Sequence, residues 1–319
     1  MSLAADALQP WAVQRLFSLR GRALNCNLAD AITFAPGAGF DLDFDVASTS
    51  VVIDFREPEY IASRIGGDAH RFAMAAFVSV RTIEECLEER LSFAWGLIRL
   101  YYAAFYAGHC VLRLLGQSCS HFDKSHTNRL SELAVARAIA PTFPLSRGLY
   151  HCTMNRAQTG IRMSLAHGAV GGTHEIFWSV YERFLLKAAQ QILQGQLAPI
   201  DAQSVANKLD TFRATLNSAG SNAAWLSAVR NNVQYRHGLG AWEPPTHNRD
   251  NRARLARIAK QWTRDPMDVD LGIHQRNSLD QFVMGCTFSI ALCRTMVLRI
   301  SERSSAGASS FVRDLLSFM

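Results

Sequence analysis

Two hydrophobic periods divide the chain. Residues 40–46, FDLDFDV, alternate strictly, with Phe40, Leu42, Phe44 and Val46 on one face and Asp41, Asp43 and Asp45 on the other. TSVVIDF (49–55) follows after a short Ala47-Ser48 connection, so the pair predicts a β-hairpin. Before it, residues 1–30 read as a short helical entry around Trp11–Leu19. Gly66-Gly67 marks the expected end of this small N-terminal module, giving a division into residues 1–70 and 71–319.

Beyond residue 70 the period is helical almost throughout. Thr82 and Glu85 have the spacing of a capping box, and Phe93, Leu97, Tyr101, Ala104, Phe105, Gly108, Leu112 and Leu115 keep one face for many turns. Gly116 is the expected stop. A second helix is expected from about Ser125–His126, broken by Pro141 and Pro144. Amphipathic segments follow at 173–193, 203–218 and 222–237, the last stopped by Pro244 and Pro245. A basic stretch, NRDNRARLARIAKQW, leads to a final long helix opened by Ser278 and Gln281 and running to about Arg303. The fold class expected is mainly α, a helical bundle with a small N-terminal β-hairpin module.

Composition adds limits. At 319 residues and 49% hydrophobic, the chain has ample length for a buried core. The opening MSLAADALQPWAVQRLF lacks a basic start followed by an apolar block, and the apolar stretch Phe282–Cys293 is too short to span a bilayer. A cytoplasmic protein without membrane contact is therefore expected. Seven scattered cysteines, without a C-x-x-C pair, argue for reduced and mostly buried thiols. The net charge is +6, and 29 of the 33 basic residues are arginine. Arginine's planar fork suits phosphate, so nucleic acid is one partner this permits. A codon bias towards arginine would give the same count.

The chemistry-bearing candidates are few. His109, Cys110, Cys119, His121 and His126 cluster in sequence but fit no common zinc spacing. The three hairpin aspartates suit a divalent cation in principle, and a solvated strand face more simply. GAVGGT (168–173) is not a phosphate-binding loop, since no Gly-Lys-Ser/Thr follows and no strand is expected before it. No metal or cofactor is expected.

RNNVQYRH (230–237) places an arginine, an asparagine and, seven residues on, a histidine in a predicted helix. Seven residues make two turns less about twenty degrees, so Arg230 and His237 would share a stripe about 10 Å long, with Gln234 between them. Asn231, about 100° round the helix, would bond neighbouring backbone or orient the arginine. The simpler reading of His237 is a helix-end histidine on the terminal carbonyls, with Arg230 and Arg236 solvated. RMSLAH (162–167) is a competing Arg-x4-His pattern without the asparagine.

Three segments in order, LIRLYYAAFYAGHCVLRLLG (97–116), FDKSHTNRL (122–130) and RNNVQYRH, resemble the HEPN family. The first is similar to its Tyr-Tyr-Ala-x-Phe helix, the second to a Lys-x-His turn, and the third to its Arg-Asn…His signature. The resemblance covers about residues 95–240. It implies a HEPN-like helical bundle that forms a homodimer, with Arg230 and His237 as site residues and Asn231 and Gln234 beside them. It also implies metal-independent cleavage of RNA, as in toxins or antiviral defence effectors, whose partner would be an antitoxin or another member of a defence complex. The alternative is a catalytically silent HEPN-like protein that binds RNA or nucleotide or scaffolds a complex. The long stretch between the second and third segments, and the missing tyrosine shortly after His237, favour that alternative.

Overall fold

The structure, a computed structural model, describes residues 2–21, 27–34, 39–166, 172–243, 248–272 and 277–319. It is mainly helical, with one five-stranded antiparallel sheet. The helices are α1 (Leu3–Leu8), α2 (Leu28–Thr33), α3 (Pro58–Val80), α4 (Ile83–Glu88), α5 (Phe93–Leu114), α6 (Lys124–Ala136), α7 (Thr173–Leu193), α8 (Pro199–Leu216), α9 (Trp225–Arg236), α10 (Arg249–Lys260) and α11 (Ser278–Arg303). The strands are β1 (Phe40–Asp45), β2 (Ser50–Phe55), β3 (Gln117–Phe122), β4 (Gly148–Met154) and β5 (Gly160–Leu165).

α5 is the axis of the helical body, with α3, α4, α7, α9 and α11 packed around it. Alanine and glycine let its neighbours approach closely. A Cβ on Gly108 would stand 2.9 Å from the Phe177 ring, so α7 crosses α5 at a position without a side chain. α5 ends where the sequence places its stop, with Gly116 at φ +70°.

The hairpin pairs antiparallel as expected, Phe40 opposite Phe55 through Asp45 opposite Ser50. Phe40, Leu42 and Phe44 are buried against α2, α3 and α6, in a second core distinct from that around α5. Val46 departs from its expected face. β1 ends at Asp45, and Val46 is 63% exposed in the turn. Asp41 and Asp43 are exposed, while Asp45 meets Arg162, whose hydrogen bond holds its carboxyl down to about 2. The hairpin is not isolated: β2 pairs with β5, and the sheet runs in the order β1-β2-β5-β4-β3.

The expected boundary near residue 70 falls inside α3. Gly66-Gly67 lies mid-helix, and a Cβ on Gly66 would meet Leu19 Cδ2 at 2.6 Å, so the glycine serves close packing. The first twenty residues join the helical body: α1 is followed by two 3₁₀ turns (Gln9–Trp11, Gln14–Ser18), and Phe311 donates its N–H to Leu19.

Several expected caps are replaced by others. Thr82 adopts a left-handed conformation (φ +60°) and caps nothing with its side chain. The turn there is held by Arg99 of α5, which donates to the carbonyls of Ser79 (2.9 Å) and Arg81 (2.6 Å). Asn277, not Ser278, caps α11, accepting from Leu279 and Asp280. α6 starts at Lys124, where Asp123 and His126 form the capping box. α11 runs 26 residues through Arg294, long enough by length and composition to cross a membrane, yet 89% of its apolar window is buried inside the helical body. Among the described cysteines none is paired, and all but Cys86 are buried. Cys26, His167, most of GAVGGT and Pro244-Pro245 lie outside the described residues; α9 already ends at Arg236.

The charge buried between α3 and α5 tests the energetics. Asp68 is fully buried and accepts from Arg113 and Arg71, each at 2.5 Å. Asp68→Ala would leave Arg113 buried without a counter-charge and should cost about 3–5 kcal/mol. Arg15→Ala, which breaks a pair with the exposed Glu59, should cost less than about 1 kcal/mol. Denaturant unfolding of both variants checks the contrast.

Candidate functional site

α9 buries Trp225, Leu226, Val229, Arg230 and Val233, the face it turns to α5. The helices run antiparallel, because Trp242, just past the end of α9, meets Trp95 near the start of α5 (5.3 Å, edge-on), whereas Arg230 meets Tyr101 and Tyr102 further along. Trp242 also donates its indole N–H to the Val233 carbonyl at 2.6 Å, tying the segment after α9 back onto it.

Arg230 is 6% exposed. Its guanidinium lies 5.1 Å from the Tyr101 ring, 5.6 Å from Tyr102 and 5.9 Å from Tyr235, distances at which the ring faces attract a cation. Nη1 donates to Gln234 Oε1 at 3.3 Å, and Nε has no partner. The buried Arg113 and Arg299 are neutralised by Asp68 and Asp6, and the half-buried Arg254 by Asp280. Among the described residues no carboxylate reaches Arg230. A desolvated cation without an anion is costly, so the arrangement is one that an incoming anion would relieve.

The sequence did not single out the histidine next to this arginine. His174, in the first turn of α7, lies with Nδ1 2.9 Å from the Tyr101 hydroxyl, and the Trp178 indole donates to the same hydroxyl at 3.1 Å. The His174 ring stacks on Phe105 (4.1 Å between centroids). Burial, and then the charge of Arg230, push its pKa down to about 4, while burial pushes Tyr101 up to about 12. His174 is therefore neutral at pH 7, and Tyr101 keeps its proton. One signal was available: His174, Phe177, Trp178 and Tyr181 follow a helical apolar stripe on which only the histidine is polar.

Of the expected residues, Gln234 is where the helical stripe puts it. The Asn231 side chain is half-buried and makes no hydrogen bond to the backbone or to Arg230 among the described residues. His237 falls outside the stripe, because α9 ends at Arg236 and His237 takes the left-handed conformation (φ +50°) that closes the helix. The backbone N–H of the next residue, Gly238, returns to the Asn232 carbonyl, and the His237 ring is exposed, 5.5 Å from Trp242. Arg230 thus points inward and His237 outward.

Arg162, of the competing Arg…His pattern, is spent on the hairpin: it reaches Asp45, and Ser48 and Ser50 at 2.8 and 2.7 Å. The residues weighed for zinc are dispersed. His109 lies between Phe72 and Phe177 in the core, and His126 is held by Asp30 and Asp123. No group of three or more potential metal ligands gathers among the described residues. A cleft of about 890 Å³ lies away from Arg230, between α1, the β3–β4 edge and the end of α7, lined by Trp11, Gln14, Asn155 and Arg156 among others. Most of its amides already bond within the protein, as Gln14, Gln158 and Asn155 do.

Compared with known proteins, the chain matches no family model, no curated protein and no solved structure.

Three histidines predict the acid response. Burial is the main cause that lowers His174 and His151 to about 4 and His109 well below its usual range. Unfolded, each titrates near about 6.5. Between these values the unfolded chain takes up protons that the folded protein refuses, so stability is fully present above about pH 6.5 and falls as pH drops towards 4. Melting temperature against pH should be flat above neutrality and decline through that window, and His174→Gln should flatten part of the slope.

Proposed function

We propose that this chain is a HEPN-like, metal-independent endoribonuclease that acts in the cytoplasm as a homodimer. The observation that carries the reading is Arg230, a buried guanidinium without a carboxylate, flanked by Gln234 and a neutral histidine. Such a group supplies the fixed positive charge a crowded phosphate needs, and does so with no metal. The ribose 2′-OH attacks the adjacent phosphorus, the 5′-oxygen leaves, and 2′,3′-cyclic phosphate ends remain. A histidine serves either proton step, and His237, exposed at the end of α9, is free to approach the phosphate from a second copy. The two-fold arrangement is what the reading requires, because within one protomer the two groups face apart. An inhibitory partner, such as an antitoxin or a defence-complex subunit, would then act by covering this face.

That same divergence favours a second reading, a HEPN-like protein that binds RNA or nucleotide at Arg230 and cleaves nothing. Incubation of the purified protein with total RNA in EDTA separates the two. The ribonuclease reading expects cleavage that persists in EDTA and leaves 2′,3′-cyclic ends. Arg230→Ala and His237→Ala should each slow it about a hundred-fold or more with the fold intact. Arg162→Ala should cleave at the wild-type rate. RNA that binds but stays whole, with Arg230→Ala abolishing the binding, decides for the silent protein.

A further inference from the structure

Tyr101 sits between two partners with opposite needs. The Trp178 indole can only donate, so it occupies a lone pair of the Tyr101 oxygen at 3.1 Å. Tyr101 retains its proton, and its hydroxyl lies 2.9 Å from His174 Nδ1 and also bonds Ser227 of α9. A neutral imidazole that accepts at Nδ1 carries its hydrogen on Nε2. With the Tyr101 proton directed at Nδ1, the chain Trp178 N–H to Tyr101 O–H to His174 ends in an N–H donor. Arg230 and His174 share the rings of Tyr101 and Tyr102 as walls: the guanidinium is 5.1 and 5.6 Å from them, the imidazole centroid 5.7 and 5.8 Å.

We propose that Arg230 and His174 form one oxyanion pocket for a phosphodiester of single-stranded RNA, with His174 donating through Nε2–H in the tautomer set by Tyr101 and Trp178. The proposal rests on the reading that Arg230 meets the phosphate of RNA, and it gives His174 a role other than carrying protons. Two donors on one phosphate suit a cation whose polar partners among the described residues, the Gln234 amide and the Tyr101 hydroxyl, are uncharged. The start of α7 adds to this, since the Gly172 cap has no side chain to occupy the positive end of a 21-residue helix. The groups facing His174 agree. From α9 comes Arg230, from α5 Tyr101, Tyr102 and the neutral His109, and on α7 itself the neighbouring Glu175. Burial and then the charge of Arg230 keep the imidazole uncharged, and an uncharged imidazole with its hydrogen on Nε2 is a donor over the whole neutral range.

The probe is a short single-stranded oligodeoxyribonucleotide, which lacks the 2′-OH and is not cleaved. His174→Ala should weaken its binding about tenfold, the loss of one hydrogen bond to a charged acceptor. His174→Gln places an amide N–H near the position of Nε2 and should restore most of that affinity. Tyr101→Phe should lower it a few-fold and let the histidine sample both tautomers. Nitrogen-15 spectra of the imidazole should show Nε2 protonated and Nδ1 bare in the wild type, and a mixture in Tyr101→Phe, a signature that a packing role would not move. A wild-type proton on Nδ1 overturns the proposal. So does binding by His174→Gln as weak as by His174→Ala in proteins of unchanged melting temperature, or wild-type affinity that rises as pH falls through a histidine titration. Oligonucleotide binding with the expected pattern, in a protein that leaves RNA intact, keeps the pocket and removes the ribonuclease reading. Arg230-dependent cleavage with His174→Ala at the wild-type rate does the reverse.

Discussion

Almost the whole circumference of α5 is buried, so the polar groups on that circumference must find partners inside the protein. Arg113 finds Asp68 across the α3 interface. His109 lies flat between Phe72 and Phe177, its Nδ1 3.1 Å from Arg113. Tyr101 reaches His174 and Trp178 on α7. These contacts fix the helices around α5 more specifically than apolar packing would, since an aliphatic surface tolerates sliding and a hydrogen bond does not. The placement of α9 follows. Its arginine is the one group on that interface whose charge the neighbouring rings attract but do not neutralise.

The sheet solves a different problem. Its strands come from two distant stretches, 40–55 and 117–165, and β2 joins β5 across more than a hundred residues of sequence. The hairpin alone would be marginal in water. Paired with β5 and laid over α2, α3 and α6, its phenylalanines close a second core. α3 spans both cores, with Ile61 and Ile65 under the sheet and Ala69, Ala73 and Phe77 against α5. A boundary near residue 70 would therefore cut the element that joins them.

Legibility in the sequence followed the strength of local signals. The hairpin, the span of α7 and the stop at Gly116 each rest on a run of consistent positions, and each lies where the pattern puts it. β3, β4 and β5 were not legible, although Ile161, Met163 and Leu165 alternate, because six or seven residues give little period. The glycine pair misled because a glycine in a helix marks close approach as readily as a break. In the site, Arg230 and Gln234 share a turn and were legible together. His174 was not, since it reaches Tyr101 across 73 residues and its own neighbours record only an amphipathic helix. His237 was placed on a stripe that the left-handed turn at its own position ends.

Arg230 is where the local rules and the global fold disagree. A methionine or leucine there would pack against Tyr101 and Tyr102 with no desolvation cost, and replacing buried charge by apolar groups is often neutral or stabilising. The three neutralised arginines show that this fold can supply an aspartate where an arginine is only structural. At Arg230 it supplies tyrosine faces, one amide and a neutral histidine instead, groups that hold the guanidinium in place and leave its charge uncancelled. Places where a sequence departs from its own consistency are where function is expected to lie. Here the departure has a sign: what is missing from the site is negative charge.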